Sequence, residues 1–201
     1  MSENNSTPAT PVILFQGEKV AIGPMHAGLI PSMKTWEYNF DTAMWSGDEY
    51  RIHTPEHLEK IFTKFVEKPK DERVFMAFYD RASLTPIGWG NIRDINTFHQ
   101  TCELGILIGD PAFRGQGYGS EAVRLMVDFA FTAYNVRNVQ LDTNSYNHRA
   151  LGAYTKVGFK EIGRRRQATR YGNRLFDIVY MDCLAEEFYE LHKSVFQLPE
   201  L

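Results

Sequence analysis

The sequence predicts a single-domain α/β fold: a mixed, mostly antiparallel sheet with a central parallel strand pair and flanking helices. Three observations predict it. Strand-like runs at 73–80, 85–95 and 101–109 follow one another through short connections, as in an antiparallel meander. Strand, loop, helix and strand then succeed one another over 101–143, a crossover unit whose two strands lie parallel. Two more strand-like runs flank the turn Tyr171-Gly172-Asn173 and close as a hairpin. A length of 201 residues is that of one domain, large enough to bury a core without disulfide or structural metal.

The first eleven residues, MSENNSTPATP, are rich in Ser, Asn, Thr and Pro and are expected to form a flexible leader. The folded domain is expected over 12–184, with a C-terminal helix and tail over 185–201. A short strand is predicted at 19–23 and a helix at 26–40, although Pro31 lies within it. Thr54 as N-cap and Pro55 at the first helical position open a helix whose Leu58, Ile61, Phe62 and Phe65 share one face. After the meander, 118–134 reads as a helix with Ala122, Leu125, Met126, Phe129 and Ala133 on one side. A strand at 136–143 precedes a helix at 147–157, stopped by Gly158. The last strands are expected at 159–167 and 174–184.

A formal charge of −3 and a pI near 6.1 provide no overall basic field, which argues against a dedicated nucleic-acid binder. Cys102 and Cys183 sit in apolar stretches without a C-x-x-C partner and read as buried thiols of a reducing compartment. No apolar run reaches membrane-spanning length, and the N-terminus lacks a secretory pattern, so a cytoplasmic location without membrane association is expected. No metal site is expected: His53 and His57 are spaced as a ligand pair, yet Pro55 starts the helix between them.

The segment Arg114-Gly115-Gln116-Gly117-Tyr118-Gly119 lies between a strand and a helix. Small residues there let backbone N–H groups approach a ligand, and the helix N-terminus favours negative charge, so a pyrophosphate is a natural guest. A tight turn with no ligand would use the same glycines. No Gly-Lys-Ser/Thr follows, which excludes a Walker A loop, and Ser120 stands where a Rossmann fingerprint requires glycine. Asp142, at the end of the next strand, is the acidic residue that a dinucleotide site would use, but that loop normally opens a βαβ series rather than following a meander.

The run ELGILIGDPAFRGQGYGSEAVRLMVDFAF resembles the Arg/Gln-x-x-Gly-x-Gly/Ala motif of the GCN5-related N-acetyltransferase superfamily, through Arg114, Gly117 and Gly119. NHRALGAYTKVGF, residues 147–159, is similar to a second pattern of the same superfamily. In detail the chain looks like the subgroup of ribosomal-protein N-terminal acetyltransferases and spermidine acetyltransferases, over about residues 12–184. The resemblance implies an N-acetyltransferase domain that binds acetyl-CoA and transfers the acetyl group directly to a primary amine. Arg114, Gly115, Gln116, Gly117, Tyr118 and Gly119 would surround the pyrophosphate. The backbone of Leu107, Ile108 and Gly109 would pair with pantetheine, and Asn147 would contact the CoA arm or simply cap its helix. A non-catalytic acyl-CoA-binding module would keep the same cleft.

Such a transfer needs a neutral amine, a stabilised oxyanion and a proton for the departing thiolate. Tyr154 stands where many members of the superfamily keep the tyrosine that protonates CoA sulfur; an aromatic packed under the sheet is the alternative. Glu103 lies eleven residues before Arg114, the spacing of a general-base glutamate in histone-acetylating members. A salt bridge to Arg93 on a neighbouring strand is equally open to it. The N–H near Ile108 would serve the oxyanion.

The acceptor is less legible. Glu37, Asp41, Asp48, Glu49, Glu56 and Glu59 stand against Arg51 alone, and 160–174 is as strongly basic. In the superfamily such segments flank the acceptor entrance, which would favour a cationic amine or basic peptide; solvated charged faces are the plainer reading. Trp36, Tyr38, Phe40 and Trp45 are either pocket walls or core. The partners expected are an amine acceptor, either a small molecule or a peptide N-terminus, with no nucleic acid and no membrane, and a homodimer is allowed as the assembly.

Overall fold

A computed structural model describes residues 10–46, 50–67 and 73–196. Residues 1–9 of the expected leader and 197–201 of the expected tail lie outside the described residues, as do Asp48 and Glu49. In chain order the elements are β1 (Phe15–Gln16), β2 (Val20–Pro24), α1 (Ile30–Glu37), α2 (Phe40–Ser46), α3 (Pro55–Glu67), β3 (Arg73–Asp80), β4 (Pro86–Asn96) and β5 (Thr101–Ile108). They continue with α4 (Tyr118–Tyr134), β6 (Asn138–Asn144), α5 (His148–Val157), β7 (Lys160–Tyr171), β8 (Arg174–Leu184) and α6 (Ala185–Leu191).

The helix expected at 26–40 is two helices. Pro31 sits in the first turn of α1, where its missing N–H costs nothing, rather than in a helix interior. α1 stops at Glu37, and the side-chain oxygen of Asn39 accepts from the Thr42 N–H at 3.0 Å, capping a second helix. The cap at Thr54 is present, its hydroxyl accepting from the His57 N–H at 3.2 Å. Gly158 ends α5 at φ +110°, a conformation that glycine adopts without a Cβ penalty. The β1 strand and the 3-10 turns at Ala27–Leu29 and Pro111–Phe113 have no counterpart in the periodicity, because they are too short to show a period.

Among the described residues, eight strands form one sheet in the order β1-β2-β3-β4-β5-β6-β8-β7. Every pairing is antiparallel except β5 with β6, whose register runs Thr101–Asn138, Cys102–Val139 and Glu103–Gln140 and then stops. Strand alternation divides the core between the two faces. On one, Ile92, Leu104 and Val139 pack against Leu125, Met126 and Phe131 of α4, Tyr154 of α5 and Phe188 of α6. On the other, Ala77 and Tyr79 pack against Met33 and Trp36 of α1 and Leu58 and Phe62 of α3. Each fully buried Leu, Met or Phe contributes roughly 1.5–3 kcal/mol relative to exposure. The fully buried carboxylate of Asp128 in α4 accepts from the Tyr189 hydroxyl at 3.2 Å and the Val195 N–H at 2.7 Å, pinning α6 and the segment after it to the sheet's helical layer.

Candidate active site

Beyond Glu103 the central parallel strands diverge, and among the described residues the edge of β5 that faces β6 has no further strand partner. The Gly109 and Asp110 N–H groups both donate to the Ile87 carbonyl, at 2.9 and 3.2 Å. Gly109 therefore has its N–H turned toward β4. Because backbone groups alternate between the two edges of a strand, Leu107 faces β4 as well, while Ile106 and Ile108 present theirs to the gap. Of the three residues expected to pair with a ligand, Ile108 alone has its backbone on that side; Ile106 is the second, which the motif did not single out. Gly109 is glycine for a packing reason: a Cβ there would lie 2.1 Å from Cδ2 of Trp36.

The gap opens into a cavity of about 740 Å³. Its walls come from α1, α2, β4, β5, the glycine loop and the start of α4, the end of β6 and α5, with Thr169 of β7 and Ile178 of β8. Gly115 and Gly117 have φ of +73° and +92°, a left-handed backbone that bends the loop into the N-terminus of the 17-residue α4. First-turn N–H groups of a helix have no intrahelical partner and carry its positive pole. A Cβ at Gly115 would meet nothing within 4 Å, so the loop backbone is open to an approaching anion. Arg149 and Lys156 of α5 add positive charge to the same walls, and His148 stands beside them. These features fit a diphosphate.

The side chains of the loop hold it in place. Arg114 donates to the carbonyls of Ile108 (2.9 Å) and Gly109 (2.8 Å) and to the Thr42 hydroxyl (2.7 Å), tying the loop to α2. Burial, and after it the positive charge of Arg149, holds its guanidinium below the usual arginine range. Gln116 donates to the Ala112 carbonyl, and Tyr118 donates to Asp80 at 2.8 Å. Gly119 sits over Ile108, where a Cβ would make ordinary contact at 3.6 Å. Asn147 is a cap and a tie at once: its oxygen accepts from the Ala150 N–H at 3.1 Å, and its amide donates to the Trp45 carbonyl at 2.7 Å. Arg149 stacks 5.2 Å above the Trp45 ring, so α2 and α5 are joined across the cavity mouth.

Tyr154 lines the cavity from α5, its ring 5.9 Å from that of Phe159. Among the described residues its hydroxyl makes no hydrogen bond, and no buried side-chain oxygen or nitrogen lacks a partner; the hydroxyl therefore opens on the cavity. Burial, with a smaller contribution from the negative charge of Asp142, pushes this phenol up to about 12. Asp142 itself lines the cavity, as does Glu37. Glu103 does not: its carboxylate is ion-paired to the guanidinium of Arg93, directly across β4–β5, and Arg93 is the member of the pair that reaches the cavity. Sequence reasoning named Asp142 only as a dinucleotide ligand; strand alternation from Leu141, which is buried in the core, would have turned it to the opposite face.

Trp36 and Trp45 are cavity walls, whereas Tyr38 and Phe40 are exposed. Glu59 pairs with Lys34 at 2.9 Å, Lys160 with Glu187 at 2.5 Å, and Arg164 with Glu161 at 2.6 Å, so these charges of the acidic and basic segments are each neutralised by a partner outside the other segment. The His53 and His57 rings stack at 4.9 Å, and among the described residues no group of three His, Cys, Asp or Glu could hold a metal ion.

Residues 25–160 match the family described as "Acetyltransferase (GNAT) domain". The chain belongs to this family. As a GNAT acetyltransferase it is an N-acetyltransferase, and acetyl-CoA is its acyl donor. The spermidine N(1)-acetyltransferase of Escherichia coli K12 is 26% identical over 150 residues, covering 75% of this chain and 77% of that protein. The N-alpha-acetyltransferase RimI of Mycobacterium tuberculosis is 38% identical over 61 residues, 30% of this chain and 36% of RimI. Spermidine N-acetyltransferase from Vibrio cholerae, solved with CoA and spermine, has the same fold at a TM-score of 0.75 and 20% identity, over 85% of this chain and 98% of that one. The single GNAT sheet with its split central pair is thus the scaffold on which the cavity is built.

Proposed function

We propose that this GNAT enzyme acetylates a primary amine of a small cationic acceptor of the polyamine class. The observation that carries the reading is the divergence of β5 and β6 beside the glycine loop, with Tyr154 and Asp142 lining the same cavity. The resemblance to spermidine acetyltransferases and the acidic lining at Glu37 and Asp142 support a cationic acceptor.

Acetyl-CoA, when bound, supplies a thioester carbonyl that an amine attacks and a sulfur that leaves as thiol. The loop from Arg114 to Gly119 and the N-terminus of α4 would hold the diphosphate, with Arg149 and Lys156 beside it. The backbone of Ile106 and Ile108 would continue a ladder with the pantetheine amides, in the manner of an added strand. Because the Ile108 carbonyl already accepts from Arg114, one of the Ile106 and Ile108 N–H groups would serve pantetheine and the other would point toward the acyl oxygen. Tyr154 keeps its proton at neutral pH and aims it at the cavity, where it stabilises charge that develops on the departing sulfur. A phenol near 12 is a better hydrogen-bond donor than proton donor toward a thiolate of pKa roughly 8.5–10, so the sulfur would leave as a thiolate held by that hydrogen bond and then take up, through water, a proton released by the acceptor amine. Asp142 and Glu37 hold the ammonium form of the acceptor, and Asp142 takes its proton, directly or through water. Glu103 holds Arg93.

Cytoplasmic residence is supported by the two buried thiols, and no helix of the described residues is long and apolar enough to cross a membrane. The experiment that tests the function is release of CoA thiol across polyamines, N-terminal peptides, amino acids and aminoglycosides. Polyamines are expected to have the highest kcat/KM. Turnover of peptides alone would overturn the acceptor class, and acetyl-CoA binding without turnover of any amine would make the protein a binding module.

A further inference from the structure

Three segments remote in sequence meet behind the glycine loop. The turn between β1 and β2 carries Lys19, whose ammonium donates to the Gln116 carbonyl at 2.8 Å. The same nitrogen lies 3.7 Å from where a Cβ of Gly117 would be and 5.9 Å from the centre of the Tyr118 ring. Its placement is built rather than incidental. The carboxylate of Glu121, in the first turn of α4, accepts from the Lys19 N–H at 3.1 and 3.0 Å and also from the Glu18 N–H. The turn is closed by Gly17 N–H to the Val20 carbonyl at 2.8 Å, and braced by Arg81, which donates to the Lys19 carbonyl (2.7 Å) and to the Gly17 carbonyl (2.9 Å).

Lys19 is not a wall of the cavity, whereas Gly115 and Gly117 are. In a trans peptide the carbonyl and the following N–H point in opposite directions. With the Gln116 carbonyl drawn back to Lys19, the Gly117 N–H of the same peptide points forward, to the side of the loop that lines the cavity. A cation on the carbonyl also polarises the peptide and makes its N–H a stronger donor. Gly117, at φ +92°, has no side chain to lock this peptide, so the lock must come from outside the loop.

We propose that Lys19 is a positioning residue for the acyl donor: it fixes the Gln116–Gly117 peptide with its N–H toward the cavity and places a positive charge behind the diphosphate site. The proposal rests on the reading of the glycine loop as that site. It concerns the phosphorylated half of the ligand alone, since nothing in the Lys19 network reaches the β5 edge where pantetheine would lie.

The test compares acetyl-CoA with S-acetylpantetheine, which has the thioester arm and no diphosphate, on wild type and on Lys19→Met, Lys19→Gln and Lys19→Arg. Lys19 is exposed, so a loss of about fivefold in affinity is expected from one screened, charge-assisted hydrogen bond. In Lys19→Met and Lys19→Gln that loss falls on KM for acetyl-CoA with kcat little changed, the salt dependence of CoA binding becomes shallower, and Lys19→Arg restores most of the affinity. KM for S-acetylpantetheine is expected to stay at its wild-type value. Equal losses with both donors, or unchanged CoA affinity in a folded variant, would overturn the proposal. If neither neutral variant folds, Lys19 is a stability residue and the proposal fails with it. Failure of wild type to prefer acetyl-CoA over S-acetylpantetheine would instead overturn the loop as the diphosphate site.

Discussion

The carboxylate of Glu103 and the guanidinium of Arg93 face each other across the β4–β5 register and are ion-paired, with about a quarter of each side chain exposed. The pair occupies the sheet face that carries Trp89 and Asn91, and Arg93 is its side toward the cavity. Replacing Glu103 by Gln is therefore expected to cost no more than about 1 kcal/mol of stability, given the partial exposure, and to leave kcat/KM within a few-fold of wild type with the acid limb intact. Asp142→Asn, by contrast, is expected to lower kcat/KM by about 10²-fold and to flatten that limb. The pH profiles of the two variants distinguish the carboxylates; the reverse pattern would make Glu103 the base.

Tyr154→Phe is expected to slow turnover by at least about 10²-fold, the low end for acid catalysis, with acetyl-CoA affinity little changed, because the phenol proton matters only as charge develops on sulfur. Burial pushes this phenol up to about 12, above the ordinary value of 10, so the native state keeps a proton that the unfolded chain loses between these values. Its contribution to stability is complete below pH 10 and declines as pH rises toward 12. Thermal melts should show wild type losing stability relative to Tyr154→Phe in that window only. Equal losses of CoA affinity and turnover would make Tyr154 a packing residue.

Gly117 caps α4 at φ +92°, so any other L-residue there is strained before it touches a ligand. Gly117→Glu also places negative charge where diphosphate must approach, and calorimetry should detect no acetyl-CoA binding while circular dichroism remains native. Gly117→Ala isolates the strain, at about 1 kcal/mol. Gly163 in β7 has open space around its Cβ position and an ordinary φ; Gly163→Ala serves as the control with affinity unchanged.

Cys102 and Cys183 flank Val139 on neighbouring strands and are both buried; desolvation pushes each thiol up to about 12. At pH 8 neither is a thiolate, and neither is expected to react with a disulfide reagent on the time scale of turnover. In denaturant both should react, and in native buffer their labelling should follow the rate of opening of the sheet. Rapid labelling of a single thiol in the folded enzyme would show local opening of β5 or β8.

Local features of the chain determined most of the elements. Periodicity located β3, α4 and the strand pairs, while Thr54, Asn147 and Gly158 marked helix ends through chemistry that acts within three residues. The glycines and Arg114 announced the loop for the same reason: a left-handed backbone at a helix start has few sequence solutions. What the tertiary structure decided are relations between residues distant in sequence. Arg114 is held by Thr42 of α2, Lys19 meets the loop from the first hairpin, Asn147 reaches Trp45, and Asp142 and Tyr154 come to line one cavity. None of these is visible in a local period, because each depends on where the sheet order and crossover bring a strand end. The divergence of β5 from β6 after Glu103 is of the same kind: strand alternation makes Ile106 and Ile108 equivalent to their neighbours until a missing partner strand leaves their edge open.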